Sequence, residues 1–229
     1  MIICLETATS LCSVALCDSS RVISVKESAE DRSHASVLTV YIQHMLKEAG
    51  ILASDLDAVA VSKGPGSYTG LRIGVSVAKG MAYAASIPLI GIDTTCSMFH
   101  GFISSKGDLQ ETDLFCPMLD ARRMEVYYSV LDISGNIVKS IRAEIISRDS
   151  FNDIPGPQRI FFFGDGSIKC RDIVKRDNIF FDEDFTISAS FMQKPAYDLL
   201  KERRFENTAY FEPFYLKDFL TTKPVKNIL

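Results

Sequence analysis

The chain has 229 residues, 47% of them hydrophobic and 24% charged, with a formal net charge of -4 and a pI near 5.4. That length supports one large domain or two small lobes, and the acidic balance excludes a global nucleic-acid footprint, so any RNA contact is local or borrowed from a partner. Glu6 interrupts the opening apolar run too early for a signal peptide or a membrane span, which makes the cytoplasm the expected compartment.

Ile2 to Glu6 reads as a buried strand, Ser13 to Cys17 as a second and Arg21 to Glu27 as a third, with short turns that imply an antiparallel meander. From Ala35 to Gly50, Val37, Leu38, Tyr41, Ile42, Met45 and Leu46 recur at helical spacing, and Gly50 closes the segment as a C-cap. Asp57 to Ser62 is a fourth strand. It runs into the glycine-dense turn Gly64-Pro65-Gly66-Ser67-Tyr68-Thr69-Gly70, and a helix from Leu71 to Ser86 precedes the strand Leu89 to Ile92.

The turn fits no standard nucleotide motif. Counting from Gly64, GxxxxGK[ST] puts Thr69 where its second glycine is needed, followed by Gly70 and Leu71 in place of Lys and Ser or Thr, and Thr69 also stands where GxGxxG needs its third glycine. Two readings stay open: free N–H groups at the helix start receive an anion or a partner's backbone, or the glycines only let strand and helix pack closely. On the helix, Gly70, Gly74, Ala78 and Ala82 recur every four residues beside an apolar row of Ile73, Val77, Met81 and Ala84. Such a groove takes either an internal element or a partner subunit.

A second lobe starts near Leu114, giving an expected division into residues 1–104 and 105–229, with about 188–229 packing back across the lobes. Its strands are Leu114 to Leu119, Glu125 to Asp132 and Ile137 to Ile146, then, after a Pro155-Gly156-Pro157 break, Arg159 to Phe163. A helix is expected after Gly164-Asp165-Gly166, then a strand from Ile179 to Phe181, a helix from Ser188 to Arg203 and a tail through Lys217. Asp120-Ala121-Arg122-Arg123 lies between two strands, where the guanidinium groups either hold an anion or form surface ion pairs.

The six cysteines form no CxxC pair and read as reduced core thiols. The histidines His34, His44 and His100 offer no pair four residues apart, so a helical metal site is not expected.

The element order βββαβαβ matches the repeat unit of the actin-like ATPase (ribonuclease H-like) architecture better than a doubly wound fold. The expected fold class is α/β, two lobes each with a mixed sheet. Gly64 to Gly74, read GPGSYTGLRIG, resembles the signature of the bacterial TsaB family. Supporting pieces are Leu5-Glu6-Thr7-Ala8-Thr9, Arg32-Ser33-His34, Pro88-Leu89-Ile90-Gly91-Ile92, Asp120-Ala121-Arg122 with Glu125-Val126-Tyr127, and Pro213-Phe214-Tyr215-Leu216-Lys217. Two positions depart from the family's pattern: Glu6 stands where it usually has Asp, and Lys217 where it often has Arg.

The resemblance implies a non-catalytic dimerisation subunit of the tRNA N6-threonylcarbamoyladenosine (t6A) machinery. It would pair with the catalytic paralogue TsaD, which carries the paired-histidine metal site that this chain lacks, and work with the ATPase TsaE. Expected partner-interface residues are Val37, Tyr41, Leu71, Arg72, Gly74, Val75 and Ala78, with a homodimer when the chain is alone. Expected anion or nucleotide contacts are Thr7, Thr9, Gly64, Gly66, Ser67, Arg122, Gly164 and Gly166. No intrinsic cofactor is implied, ATP or ADP sitting at the interface of the complex, and tRNA is met through the complex. The competing expectation is a free-standing kinase or ATPase of the same superfamily, using Thr7, Thr9 and the Gly164 to Gly166 loop around ATP.

Overall fold

The structure is a computed structural model that describes residues 1–29, 34–154 and 156–217. The expected helix entry at Arg32 and Ser33, the side chain of His34, and Pro155 of the expected break lie outside the described residues.

Among the described residues, ten strands form two five-stranded sheets of the same connectivity. In the first, β1 (Ile2–Glu6), β2 (Cys12–Cys17) and β3 (Val22–Ser28) make the antiparallel meander, while β4 (Ala58–Gly64) pairs parallel to β1 and β5 (Leu89–Asp93) parallel to β4. The second repeats this with the meander β6 (Leu114–Asp120), β7 (Glu125–Asp132) and β8 (Ile137–Ile145), followed by β9 (Ile160–Phe163) parallel to β6 and β10 (Ile179–Asp182) parallel to β9. β1 and β2 are buried along their whole length, as expected of central strands covered on both faces, whereas β3 alternates because it is an edge with one wet face.

Helices α1 (His34–Ala49) and α2 (Tyr68–Ala85) cover one face of the first sheet. Leu38, Ile42 and Met45 of α1 and Val75, Ala78 and Ala82 of α2 join Ile3, Leu5, Val14 and Val61 in one core. The opposite face is covered by a late segment, a 3-10 turn Ala189–Met192 leading into α4 (Gln193–Lys201), whose Ala196 and Tyr197 pack against Ile2, Cys4 and Ala58.

The structure differs from the sequence reading in three places. α3 (Thr94–Ser105) was not foreseen: it has no Asp, Glu, Lys or Arg and is buried on most sides, so no polar face marks its period. Its Phe99 and Phe102 reach the second sheet, Phe102 stacking on Phe163 with ring centroids 4.2 Å apart. The helix expected after Gly166 is only a 3-10 turn, Ile168–Cys170. The helix expected from Ser188 to Arg203 is the shorter pair of a 3-10 turn and α4, ending before Arg203, whose φ is +54°.

Candidate functional site

The glycine turn is folded against the first hairpin. Ser67 caps α2, its hydroxyl accepting the Gly70 N–H at 3.3 Å, while its own N–H donates to the Ala8 carbonyl at 2.6 Å. A Cβ on Gly66 would stand 2.5 Å from the Ala8 carbonyl oxygen. Those on Gly70 and Gly74 would collide with the carbonyl oxygen and the hydroxyl of Thr7. The small-residue row of α2 is therefore already occupied within this chain, Thr7 filling it at Gly70 and Gly74 and the first core covering Ala78 and Ala82, the packing alternative left open by the sequence.

Gly64 joins Pro65 through a cis peptide bond and has φ +121°, which L side chains rarely adopt. Its missing side chain makes room for the C-terminal tail, since a Cβ there would lie 2.6 Å from the Phe214 carbonyl oxygen. The tail then runs along α2. Lys79 Nζ donates to the carbonyls of Phe211 (2.8 Å) and Ala209 (3.4 Å). The Arg72 guanidinium lies over the Tyr68 ring at 4.2 Å and bonds the Tyr215 hydroxyl at 3.2 Å, while the two tyrosine rings sit 4.7 Å apart. Lys217 pairs with Glu125 of the second sheet, so the tail connects the two halves.

Of the residues named by the nucleotide reading, Thr9 and Gly164 line a cleft between the sheets together with Leu11, Leu119, Asp165 and Ile187, while Thr7 and Gly166 do not. The cleft holds only about 160 Å³ and no Lys or Arg lines it among the described residues. Pockets for drug-sized ligands run from about 300 Å³ upward. A Cβ on Gly164 or Gly166 would collide with backbone atoms of Met118 and Leu119, and the Gly166 N–H is already given to the Met118 carbonyl at 3.2 Å. Arg122 lies on the exposed turn between β6 and β7, away from Thr7 and Ser67 in sequence and sheet.

Glu6 ends β1 fully buried, its carboxylate accepting the Ala8 N–H at 2.7 Å. Burial pushes its pKa up to about 7, against the opposing pull of hydrogen bonds from Ala8, Ser62 and Thr7. The Thr7 hydroxyl is buried and has no hydrogen-bond partner among the described residues. The six cysteines are free, with burial raising Cys12 and Cys96 to about 11 and Cys170 to about 12, which makes them poor nucleophiles. Among the described residues no group of three or more His, Cys, Asp and Glu is placed to hold a metal ion. No described helix is long and apolar enough to cross a membrane.

The expected partner residues divide between two faces. Leu71, Gly74, Val75 and Ala78 are buried inside the chain, so they offer no surface to a partner in this fold, a correction caused by the hairpin and the sheet filling that side of α2. Arg72 is exposed but engaged by Tyr68 and Tyr215. Val37 and Tyr41 are half-buried on α1, beside the exposed Val40. The half-buried row Ile73, Val77 and Met81, with exposed Gly80 and Ala84, forms the outward face of α2. Periodicity marked that row as apolar without showing that it, and not the glycine row, faces outward. Lys79 and the tail contacts carried no signal in the sequence.

The model of the family described as TsaD, tRNA N6-adenosine threonylcarbamoyltransferase, matches residues 24–210. The tRNA threonylcarbamoyladenosine biosynthesis protein TsaB of Escherichia coli (strain K12) is 35% identical over 128 residues, 56% of this chain and 53% of that protein. A tRNA N6-adenosine threonylcarbamoyltransferase of Bacillus thuringiensis (strain Al Hakam) is 48% identical over 61 residues, 27% of this chain and 18% of that one. By these matches the chain spans about half the length, or less, of the curated relatives. The solved structure of YeaZ from Pseudomonas aeruginosa superposes with a TM-score of 0.80 at 24% identity, covering 94% of this chain and 99% of that one, a likeness of fold. The chain therefore belongs to the TsaD family, as a TsaB/YeaZ-like protein with the two-sheet actin-like, ribonuclease H-like fold.

Proposed function

We propose that this chain is a non-catalytic subunit that pairs, in the cytoplasm, with a TsaD-type catalytic paralogue and a TsaE-type ATPase to make t6A on tRNA. The observation that carries this reading is the outward face of α1 and α2, where Val37, Val40, Tyr41, Ile73, Val77 and Met81 form an apolar surface that the chain itself leaves partly uncovered. Exposed contiguous apolar surface of this kind favours a partner. The small cleft, with Asp165 and no cation in its lining among the described residues, supports the same reading against a free-standing kinase or ATPase, because nothing lining it neutralises a triphosphate. When alone, the chain covers this face with a second copy of itself.

The test is threonylcarbamoyl transfer to tRNA by the cognate paralogue and ATPase, with this chain included, omitted or supplied alone. Transfer is expected only when chain and paralogue are both present, and a Val77→Glu/Met81→Glu variant should fail to pair while keeping its native circular dichroism. Transfer that is indifferent to this chain would sink the proposal.

A further inference from the structure

The turn between β6 and β7 places two consecutive arginines in the left-handed region, Arg122 at φ +68° and Arg123 at φ +52°. Such positions ordinarily go to Gly, Asn or Asp, and strain of this kind survives where surrounding contacts hold it. Here the hold is explicit. Asp120 Oδ1 accepts the Arg122 N–H at 2.6 Å and the Lys169 ammonium at 2.6 Å; Lys169 also bonds the carbonyls of Arg123, at 3.0 Å, and Glu125. Neither guanidinium makes a hydrogen bond or ion pair among the described residues, and both side chains are exposed.

A third arginine joins them. The Ile146 N–H bonds the Met124 carbonyl at 3.0 Å, so the chain leaving β8 passes this turn and delivers exposed, unpaired Arg148 two residues later. Between them Met124 is 40% and Ile145 71% exposed. The carboxylates nearby are largely spoken for: Asp120 by Lys169, Glu125 by Lys217, and Glu144 by the hydroxyls of Tyr128 and Ser150. Asp149, next to Arg148, faces the Asn152 amide at 3.4 Å. A chain of net charge -4 thus gathers three exposed guanidinium groups with no ion pair among the described residues around an apolar spot at one end of its second sheet, with the charges of Glu144 and Asp149 as the nearby opposition.

We infer that Arg122, Arg123 and Arg148 form a contact surface for the phosphodiester backbone of RNA, with Met124 and Ile145 lying against sugar or base. Planar guanidinium forks match phosphate oxygens, and a pre-strained, pinned turn presents them without further ordering. The inference rests on the reading of the chain as part of a tRNA-modifying assembly, and names the patch by which this subunit meets that tRNA.

The test is fluorescence anisotropy of a labelled tRNA transcript with adenosine at position 37, titrated with the full chain, alone and assembled with its paralogue, across a salt series. The variant is Arg122→Asn/Arg123→Gly/Arg148→Gln, which suits the backbone at both strained positions and should raise the melting temperature. Loss of binding by a more stable protein would not come from misfolding. Affinity is expected to fall about tenfold or more near 0.1 M salt, and the slope of log K against log salt to shrink by roughly 0.7 to 1 for each arginine that met a phosphate. The control Lys201→Gln/Arg203→Asn removes two exposed cations from the end of α4 and should bind as the parent does. Equal binding by the triple variant would overturn the patch whether or not the assembly modifies tRNA. Equal arginine-dependent binding of polyglutamate would overturn the RNA assignment in favour of an acidic protein partner. An assembly that modifies tRNA without this chain would refute the proposed function and leave the anisotropy result readable.

Discussion

The Phe214 N–H donates to the Lys63 carbonyl at 2.7 Å, tying the C-terminal tail to the glycine turn that starts α2. Phe211, three residues earlier, is 8% exposed within the first core and abuts Gly91 of β5. The Glu206 N–H bonds the Leu89 carbonyl at 2.8 Å, so the same tail also covers the open edge of β5. Phe211→Ala should cost roughly 3 kcal/mol in urea denaturation, as expected for a buried aromatic. Tyr215→Ala should cost under about 1 kcal/mol, because its contacts are at the surface. It should nevertheless speed amide exchange through residues 206–217, and unchanged exchange there would show that the Arg72 clasp does not hold the tail.

Gly70 and Gly74 face Thr7, so substituting either disrupts the chain itself before any partner is involved. Gly74→Ala places a methyl against the Thr7 hydroxyl, and Gly70→Ala places one against a backbone carbonyl that cannot rotate away. Overpacking of this kind costs about 1 to 3 kcal/mol, with Gly70 expected at the upper end. Gly80→Ala is the contrasting case: its Cβ meets nothing within 4 Å, and helix propensity predicts a gain of roughly 0.5 to 1 kcal/mol. Thermal melts of the three variants check the order.

Glu6 predicts a pH dependence of a particular sign. Its pKa is raised to about 7 in the folded chain, so the fold favours the protonated form relative to the unfolded chain, where a glutamate titrates near about 4.3. The stabilising difference is complete below the unfolded value and is lost as pH rises through about 7. The loss amounts to roughly 4 kcal/mol. Glu6→Gln keeps an oxygen to accept the Ala8 N–H and cannot ionise, so it should flatten stability between about pH 4.3 and 7. Parallel curves for parent and variant would place the slope elsewhere.

The cleft between the sheets predicts that ATP titrated into the chain alone gives no saturable signal up to about 1 mM, a level at which even weak specific sites respond. Its volume of about 160 Å³ and its lining of Thr9, Leu11, Leu119 and Ile187 offer no cation for the phosphates. Saturable micromolar binding by isothermal titration would return the chain to the nucleotide-dependent class.

Legibility in the sequence followed the physics of each signal. Strands β1 to β10 and helices α1 and α2 were readable because alternation, apolar runs and Gly50 at the end of α1 are local properties. α3 was not, since TTCSMFHGFISS has no charged face for a period to appear against. The row of Gly70, Gly74, Ala78 and Ala82 was visible, but its occupant was not. Thr7 is some sixty residues away in sequence, and its proximity comes from the parallel pairing of β1 with β4. Arg122 is legible from its place beside Asp120 and Arg123 between two strands; the positive φ at two successive arginines and the approach of Arg148 depend on tertiary hydrogen bonds from Lys169 and Ile146.

The two sheets share one strand order, yet only the first carries α1 and α2 in its crossovers; the second connects β8 to β9 and β9 to β10 with turns and a short 3-10 segment. Phe151, Ile154 and Val174 from those connections close one face of that sheet, while Phe99 and Phe102 of α3 pack on the other. A duplicated topology thus acts as its own control: the same face is sealed by turns in one copy and by the inner rows of two long helices in the other, whose outer rows are additional surface. The first half presents, along the outer rows of α1 and α2, an apolar surface for which the short connections of the second half have no counterpart among the described residues.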